Sequence, residues 1–334
     1  MQPIHNRQSQ ITQLESQILA GKELTREQAL ALTEAPLEEL CQAADRIRKA
    51  FCQNTFDICA IINGKSGKCP ENCKYCAQSA HYATKTEEYP LLSGEEMLKG
   101  ALCNQEAGVL RFSVVTSGRR LTDKETERVC ENFRLLNENT RLSLCASHGL
   151  LSLEQYKRLK AAGVERIHNN LETSRRFFPQ ICTTHTYDDK INAIKAAQEA
   201  GLSVCSGGIL GMGETWEDRI DLALELRELH ILSIPINILN PIPGTPLERL
   251  KPLKLPEIRR ITAIYRMLHP GAAIRMAGGR GQLPDKGRSV FSSGANAAIS
   301  GPMLTTSGIS MEEDLRILED LGYTPGLLAP CKND

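Results

Sequence analysis

The stretch RLSLCASHGLLSLEQYKRLKAAGVERIHNN, residues 141–170, reads as one strand–helix–strand unit. Arg141–Ala146 is a short β-rich run. Ser152 and Gln155 then have the spacing of an N-terminal capping box at the head of an amphipathic helix. Gly163 reads as the helix stop, directly before a second β-rich run, Val164–Asn170. Short strands that alternate with helices are the signature of parallel βα units.

Outward from this unit the pattern repeats. Further β-rich runs lie at Asp57–Ile62, Val109–Thr116, Leu202–Gly207, Leu232–Leu239, Ala273–Ala277 and Ala295–Ser300, which makes eight. Ser93/Glu96 and Thr122/Glu125 repeat the capping spacing, and Gly201 repeats the stop. Eight such units can close into a barrel or spread as an open doubly wound sheet. The count and the chain length favour an α/β fold of the (β/α)8 TIM-barrel type. Helices within Ile11–Ala50 form an N-terminal extension, expected under the barrel floor. The expected division is a helical cap over 1–56, a barrel over 57–321 and a C-terminal tail over 322–334. Asn240–Pro246, rich in Pro and Gly just after the sixth strand, reads as an active-site loop.

Forty basic residues balance forty acidic ones in 334 residues, 41% of them hydrophobic. Without a long run of like charge, neither nucleic acid nor a membrane surface is an expected partner; small molecules are. Met1–Leu24 is polar and lacks a secretory core, and no segment approaches the roughly 20 apolar residues of a membrane span. A cytoplasmic location is expected. In a reducing compartment, twelve cysteines point to metal ligation or catalysis before disulfides.

Their spacing decides which. Cys69-Pro70-Glu71-Asn72-Cys73-Lys74-Tyr75-Cys76 is a C-x3-C-x2-C run in the loop after the first strand. Three thiolates on one short loop can hold three irons of a 4Fe-4S cube and leave the fourth iron open. An open iron can chelate S-adenosylmethionine (SAM), whose reductive cleavage gives a 5′-deoxyadenosyl radical. Barrel enzymes place catalytic groups on these same βα loops. A structural zinc site with His81 as fourth ligand is the alternative, but the paired C-x2-C knuckles usual for zinc are missing.

Cys69–Cys76 with Tyr75 resembles the radical SAM signature. The longer run from Lys65 to Ser79 resembles the biotin synthase family, as do His168–Ser174, Val204–Ile209 with Gly211–Thr215, and Pro235–Asn237 with Gly244–Leu247. The resemblance covers roughly residues 36 to 321. It implies a (β/α)8 fold, a homodimer, sulfur insertion into dethiobiotin, and a flavodoxin or ferredoxin as electron donor.

Inward side chains of a barrel stack in layers drawn from alternate strands. Cys59, Cys145, Cys205 and Arg275 fall on the first, third, fifth and seventh predicted strands. One buried cysteine is an ordinary small hydrophobe. Three in register with a guanidinium can ligate an auxiliary iron-sulfur cluster. The family resemblance implies a 2Fe-2S cluster on three cysteines and an arginine; Cys145, Cys205 and Arg275 match, but Ser113 stands at the remaining cysteine position. Cys59 is therefore expected to complete the set, with a cluster of 2Fe-2S or 4Fe type. Cys182, in the loop after the fourth strand, is a reserve ligand. Cys41, Cys52, Cys103, Cys130 and Cys331 read as structural or incidental.

Asn170 and Glu172 share a face at the end of the fourth strand, where the resemblance implies contacts to the ribose of SAM; N-capping of the next helix is their alternative role. His168, on the same face, stands where the family commonly has a substrate-facing asparagine. Asn237 offers donor and acceptor to the ureido ring of dethiobiotin. Glycines 207, 208, 211 and 213 allow close backbone approach to a ligand, with Ile209 packed on adenine. Their spacing does not match the dinucleotide fingerprint. Two rivals remain: another barrel radical SAM enzyme, such as a hydrogenase-maturation or methylornithine-forming relative, and a non-catalytic iron-sulfur carrier. Cys145 with Cys205 speaks against the first; the second would need exposed, transferable cysteines and no SAM pocket.

Overall fold

The computed structural model describes residues 4–306 and 308–328. Its strands are β1 Thr55–Lys65, β2 Arg111–Thr116, β3 Ser143–Ser147, β4 Arg166–His168, β5 Ser203–Cys205, β6 Gly208–Leu210, β7 Ser233–Ile238, β8 Ala273–Met276, β9 Ala297–Ile299 and β10 Thr324–Pro325. All pairings between them are parallel. The order β1-β2-β3-β4-β5-β7-β8-β9 closes through β1 and β9, where Cys59 pairs with Ile299. Eight strands thus form the barrel, one in each of the eight β-rich runs.

Helices α1 Ile4–Leu19, α2 Arg26–Ala31 and α3 Leu37–Cys52 precede β1. Those between strands are α4 Gly94–Glu106, α5 Asp123–Asn139, α6 Leu153–Ala161, α7 Phe178–Ile181, α8 Tyr187–Glu199, α9 Trp216–Glu228, α10 Leu255–Leu268 and α11 Arg288–Phe291; α12 Met311–Asp320 follows β9. The capping boxes at Ser93, Thr122 and Ser152 form as expected. Gly163 and Gly201 have φ of +96° and +76°, the left-handed conformation that ends a helix at least cost in glycine.

The N-terminal helices are not confined to the floor. α3 lies along α10 and α2 against α9. The C-terminal end of α3 reaches the floor, where Cys52 Sγ lies 3.8 Å from the Pro270 carbonyl oxygen. The expected tail is also part of the fold: Thr324–Pro325 pairs with Thr55–Phe56, and the Tyr323 ring meets Phe56 edge-on at 5.2 Å. Cys331 lies outside the described residues.

The fifth run departs from a single strand. β5 ends at Cys205 and resumes as β6 after Ser206-Gly207. The Gly207 N–H leaves the ladder to donate to Asn170 Oδ1 at 3.1 Å. A Cβ on Gly207 would stand 2.0 Å from the Pro235 carbonyl oxygen, and one on Gly208 2.5 Å from that of Glu172. These two glycines serve close approach between strands, a correction to the expectation that they serve a ligand.

Alternation along the strands divides inside from outside. Phe112, Val114, Leu144, Ala146 and Ile167 occupy one set of register partners and are buried in the apolar core. A fully buried large apolar side chain of this kind contributes about 2 kcal/mol. The other set, including Arg111, Ser113, Cys145, Ser147, Arg166, His168 and Cys205, lines the interior. Barrel interiors are ordinarily filled by bulky branched residues. Small and polar residues here leave a cavity.

Candidate active site

The cavity has a volume of about 400 Å³ and opens at the C-terminal rim. Its lining brings together Cys59, Cys145, Cys205 and Arg275 with Tyr75, Cys69 and Cys76, and with Asn170, Glu172, Ile209, Asn237 and His168. Of the residues singled out from sequence, Cys73, Cys182, His81 and the glycines 207, 208, 211 and 213 stand outside this lining.

The cysteine loop is braced by its own backbone. Cys69 N–H donates to the Gln78 carbonyl at 3.0 Å, Ala80 N–H to the Cys69 carbonyl at 2.8 Å, and Cys76 N–H to the Cys73 carbonyl at 3.0 Å. Gly67 at φ +78° makes the turn into it, where a Cβ would meet the Glu88 side chain at 2.6 Å. Burial pushes the Cys76 thiol up to about 11. Burial likewise raises Cys69. Both are thiols at neutral pH without metal, so ligation releases protons. His81 is no partner to them; its Nε2 faces the Pro70 carbonyl at 2.9 Å, so the zinc alternative loses its fourth ligand.

The loop after β4 is knitted to this one. Lys74 N–H donates to the Ile181 carbonyl at 3.0 Å, and Thr183 N–H to Asn72 Oδ1 at 2.9 Å. Cys182 Sγ is thereby held 3.7 Å from Cys73 Sγ and 3.3 Å from His185 Nδ1. Cys182 was expected in reserve for the interior set; the rim loop carries it to Cys73 instead. Tyr75 provides a further link, since its buried hydroxyl hydrogen-bonds Glu172. Glu172 itself has φ +71°, and its main chain bridges to β6 through Ile209 N–H at 2.9 Å. Asn170 Nδ2 donates to Glu172 Oε2 at 3.4 Å.

At the floor, charge is as informative as sulfur. Arg275 donates from Nη2 to Asp57 Oδ1 at 2.8 Å and from Nη1 to the carbonyls of Asp57 and Ala298, both at 3.0 Å. Arg111 Nη2 reaches Asp57 Oδ2 at 3.4 Å, and its Nη1 lies 4.0 Å from Cys145 Sγ. Burial works against the Asp57 carboxylate, but the charges of Arg275 and Arg111 outweigh it and hold its pKa below the usual range. Arg111 Nε and Arg166 Nη1 are buried with no hydrogen-bond partner among the described residues. Burial pushes Cys59 up to about 12 and raises Cys145. At Cys205 burial is opposed by a hydrogen bond from His168 and the charges of His168, Arg275 and Arg166, which bring it down to about 6. His168 therefore attends a thiol, beyond the substrate role expected of it.

Asn237 is tied at both ends of its amide: Oδ1 accepts from Gly278 N–H at 2.9 Å and Nδ2 donates to the Gly208 carbonyl at 3.1 Å. One hydrogen and one lone pair remain. Asp57, Arg111, Arg166 and Lys190 were not singled out from sequence. Lys190, on α8, lines the cavity and donates to Asn169 Oδ1 at 3.2 Å.

The chain matches the Radical SAM superfamily over residues 64–226 and the Biotin and Thiamin Synthesis associated domain over residues 235–324. It is 59% identical to a biotin synthase of Brachyspira hyodysenteriae, over 94% of either chain. It is 58% identical to one of Akkermansia muciniphila, over 92% of this chain and 96% of that one. Among solved structures, a methylornithine synthase superposes with a TM-score of 0.82 at 20% identity, over 94% of this chain and 98% of that one. A maturase of FeFe-hydrogenase does so with a TM-score of 0.82 at 19% identity, over 98% and 78%. These two carry the fold alone.

Proposed function

The chain belongs to the biotin synthase family of the radical SAM superfamily, and on that premise we propose how its residues divide the work. The reaction is sulfur insertion into dethiobiotin to form biotin, by a sulfurtransferase that uses SAM, a 4Fe-4S cluster and an auxiliary iron-sulfur cluster. When bound, these groups supply a radical able to take hydrogen from an unactivated carbon, and the sulfur that replaces it.

The observation that carries the division is one cavity lined by Cys69 and Cys76 at the rim and by Cys59, Cys145 and Cys205 at the floor. Cys69, Cys73 and Cys76 hold the SAM cluster at the rim. Cys59, Cys145 and Cys205 hold the auxiliary cluster at the floor. The donor set fits an anionic group there: three thiols are ringed by the guanidiniums of Arg111, Arg166 and Arg275, with unpaired N–H groups on the first two. Among the described residues Asp57 alone forms ion pairs with Arg275 and Arg111, so positive charge remains for thiolates to neutralise. Arg275 serves in this reading as a charge partner, with its ligation of iron requiring release from Asp57. Ser113 lines the cavity beside Cys145 and leaves the third thiolate to Cys59.

Glu172 and Asn170 bind the ribose hydroxyls of SAM, Tyr75 fixes Glu172, and Ile209 packs on the adenine. Lys190 adds a cation at the rim for an anionic group. The free hydrogen and lone pair of Asn237 orient the ureido ring, and His168 faces both substrate and Cys205. Holding the reacting carbons between radical and sulfur turns a bimolecular encounter into a positioned one. The loop Met303–Thr306 lines the mouth, where the Leu304 carbonyl accepts from Asn63 Nδ2 at 3.4 Å, and limits entry of water. The same reading includes a helical cap over 1–56, a flavodoxin or ferredoxin as electron donor, a homodimer and a cytoplasmic location. Among the described residues no helix is long and apolar enough to cross a membrane.

Anaerobic iron counting with Mössbauer spectroscopy tests the two-site division. Two distinct clusters in the wild type, one of them lost in Cys59→Ala, support it; a single cluster contradicts it.

A further inference from the structure

The loop after β4 places a fourth thiol against the cysteine loop. Cys182 is buried, lies 3.7 Å from Cys73 Sγ, and stands apart from the cavity lining. Its other polar neighbours are His185 Nδ1 at 3.3 Å, Asn72 Oδ1 at 3.4 Å and Thr184 Oγ1 at 3.5 Å. His185 is fixed in turn. Glu71 Oε2 contacts its Nδ1, and the Phe178 ring meets it edge-on at 5.5 Å. Glu71 also accepts from Thr184 Oγ1 at 2.6 Å and from Arg119 at 3.4 Å.

We infer that Cys182 is a positioning residue for the SAM cluster: its S–H donates to the sulfur of Cys73 and makes the cluster easier to reduce. This rests on the reading of Cys73 as a cluster ligand. In the cluster-free protein Cys73 Sγ donates to Cys182 Sγ; once Cys73 is bound to iron as a thiolate it has no proton, and the hydrogen between the two sulfurs then belongs to Cys182. Of the competing acceptors, His185 Nδ1 is engaged by Glu71 Oε2, and Asn72 Oδ1, to which Cys182 Sγ donates at 3.4 Å in the cluster-free protein, already takes the N–H of Thr183 at 2.9 Å and the N–H of Thr184 at 3.3 Å. Its two lone pairs are used. The other two ligand sulfurs have main-chain donors: Glu71 and Gly118 at Cys69, Gln78 and Ser79 at Cys76. At Cys73 the side chain of Cys182 takes that place. Hydrogen bonds to cluster sulfurs are among the factors that set potential. A donor there favours the reduced state, which carries the extra negative charge.

An anaerobic redox titration of the cluster-loaded protein, read by the EPR signal of the reduced SAM cluster, tests this. Cys182→Ala is expected to retain its iron and, at a given potential, to show an about fivefold lower ratio of reduced to oxidised cluster, the effect of losing one modest hydrogen bond. Cys182→Ser, which keeps a donor, is expected to recover most of that ratio. An unchanged titration in Cys182→Ala overturns the inference. So does loss of the cluster from that variant, which would make Cys182 a ligand. Cys73→Ala checks the underlying reading separately. Loss of the signal supports it, and a retained signal overturns both.

Discussion

Arg275 grips Asp57 at the barrel floor, Nη2 to Oδ1 at 2.8 Å, while Arg111 approaches the other carboxylate oxygen at 3.4 Å. Asp57 precedes Cys59 by two residues on β1 and so shares its face. The pair therefore sets the charge beneath the thiol set and also closes β1 against β8 and β9.

Asp57→Asn leaves two guanidiniums without their carboxylate. Breaking a buried pair in this way costs about 3 kcal/mol. Urea unfolding of the cluster-free protein should show that loss. Because the folded-state pKa of Asp57 is lowered, its contribution is fully present above the ordinary value of 3.8 and fades as pH falls through the lowered one. The wild type should therefore lose this part of its stability only in acid, and Asp57→Asn should lack that dependence.

Two buried histidines give a different pH signature. Burial brings His148 and His269 down to about 3 from 6.5. The unfolded chain takes up a proton at each below 6.5 and the folded chain does not, so stability falls with pH from there down to about 3. The slope is about 1.4 kcal/mol per pH unit for each histidine. His269 Nε2 faces the Ala223 carbonyl at 2.9 Å, and His269→Gln keeps an amide donor. Stability measured from pH 7 down to pH 5 should be flatter in this variant, the difference in slope approaching about one proton near pH 5.

Tyr75 joins the cysteine loop to Glu172 through its hydroxyl. Tyr75→Phe removes one hydrogen bond, about 1 kcal/mol. Calorimetric binding of SAM to the loaded protein should weaken about fivefold, with iron content unchanged. Lower iron in this variant would assign Tyr75 to loop folding instead.

The barrel was legible because its outward faces obey the parallel-strand pattern. Phe112, Val114, Leu144 and Ile167 alternate with small or polar residues, and Ser152 with Gln155 marks where a helix begins. The cysteine loop was legible from spacing alone. The break in the fifth strand was not, since it depends on Asn170 capturing the Gly207 N–H from another strand. Arg111, Arg166 and Asp57 went unread although a signal was present. Each is a charge within a predicted buried strand, Asp57 on the parity of Cys59, Arg166 on that of His168 and Arg111 on that of Ser113, and buried charges require partners. Lys190 carried no such mark; a lysine on a helix ordinarily faces water. The placement of Cys182 depends on where the rim loop after β4 lies, which local sequence does not encode.

The assignment of Cys59 to the sulfur site is tested most directly by incubating wild type and Cys59→Ala, cluster-loaded and anaerobic, with SAM, dethiobiotin and a reductant. Mass spectrometry then reads biotin and 5′-deoxyadenosine. The account predicts both products from the wild type, and 5′-deoxyadenosine with little or no biotin from Cys59→Ala, since the rim set is intact and the floor set is not. Biotin formed by Cys59→Ala at the wild-type level would contradict it.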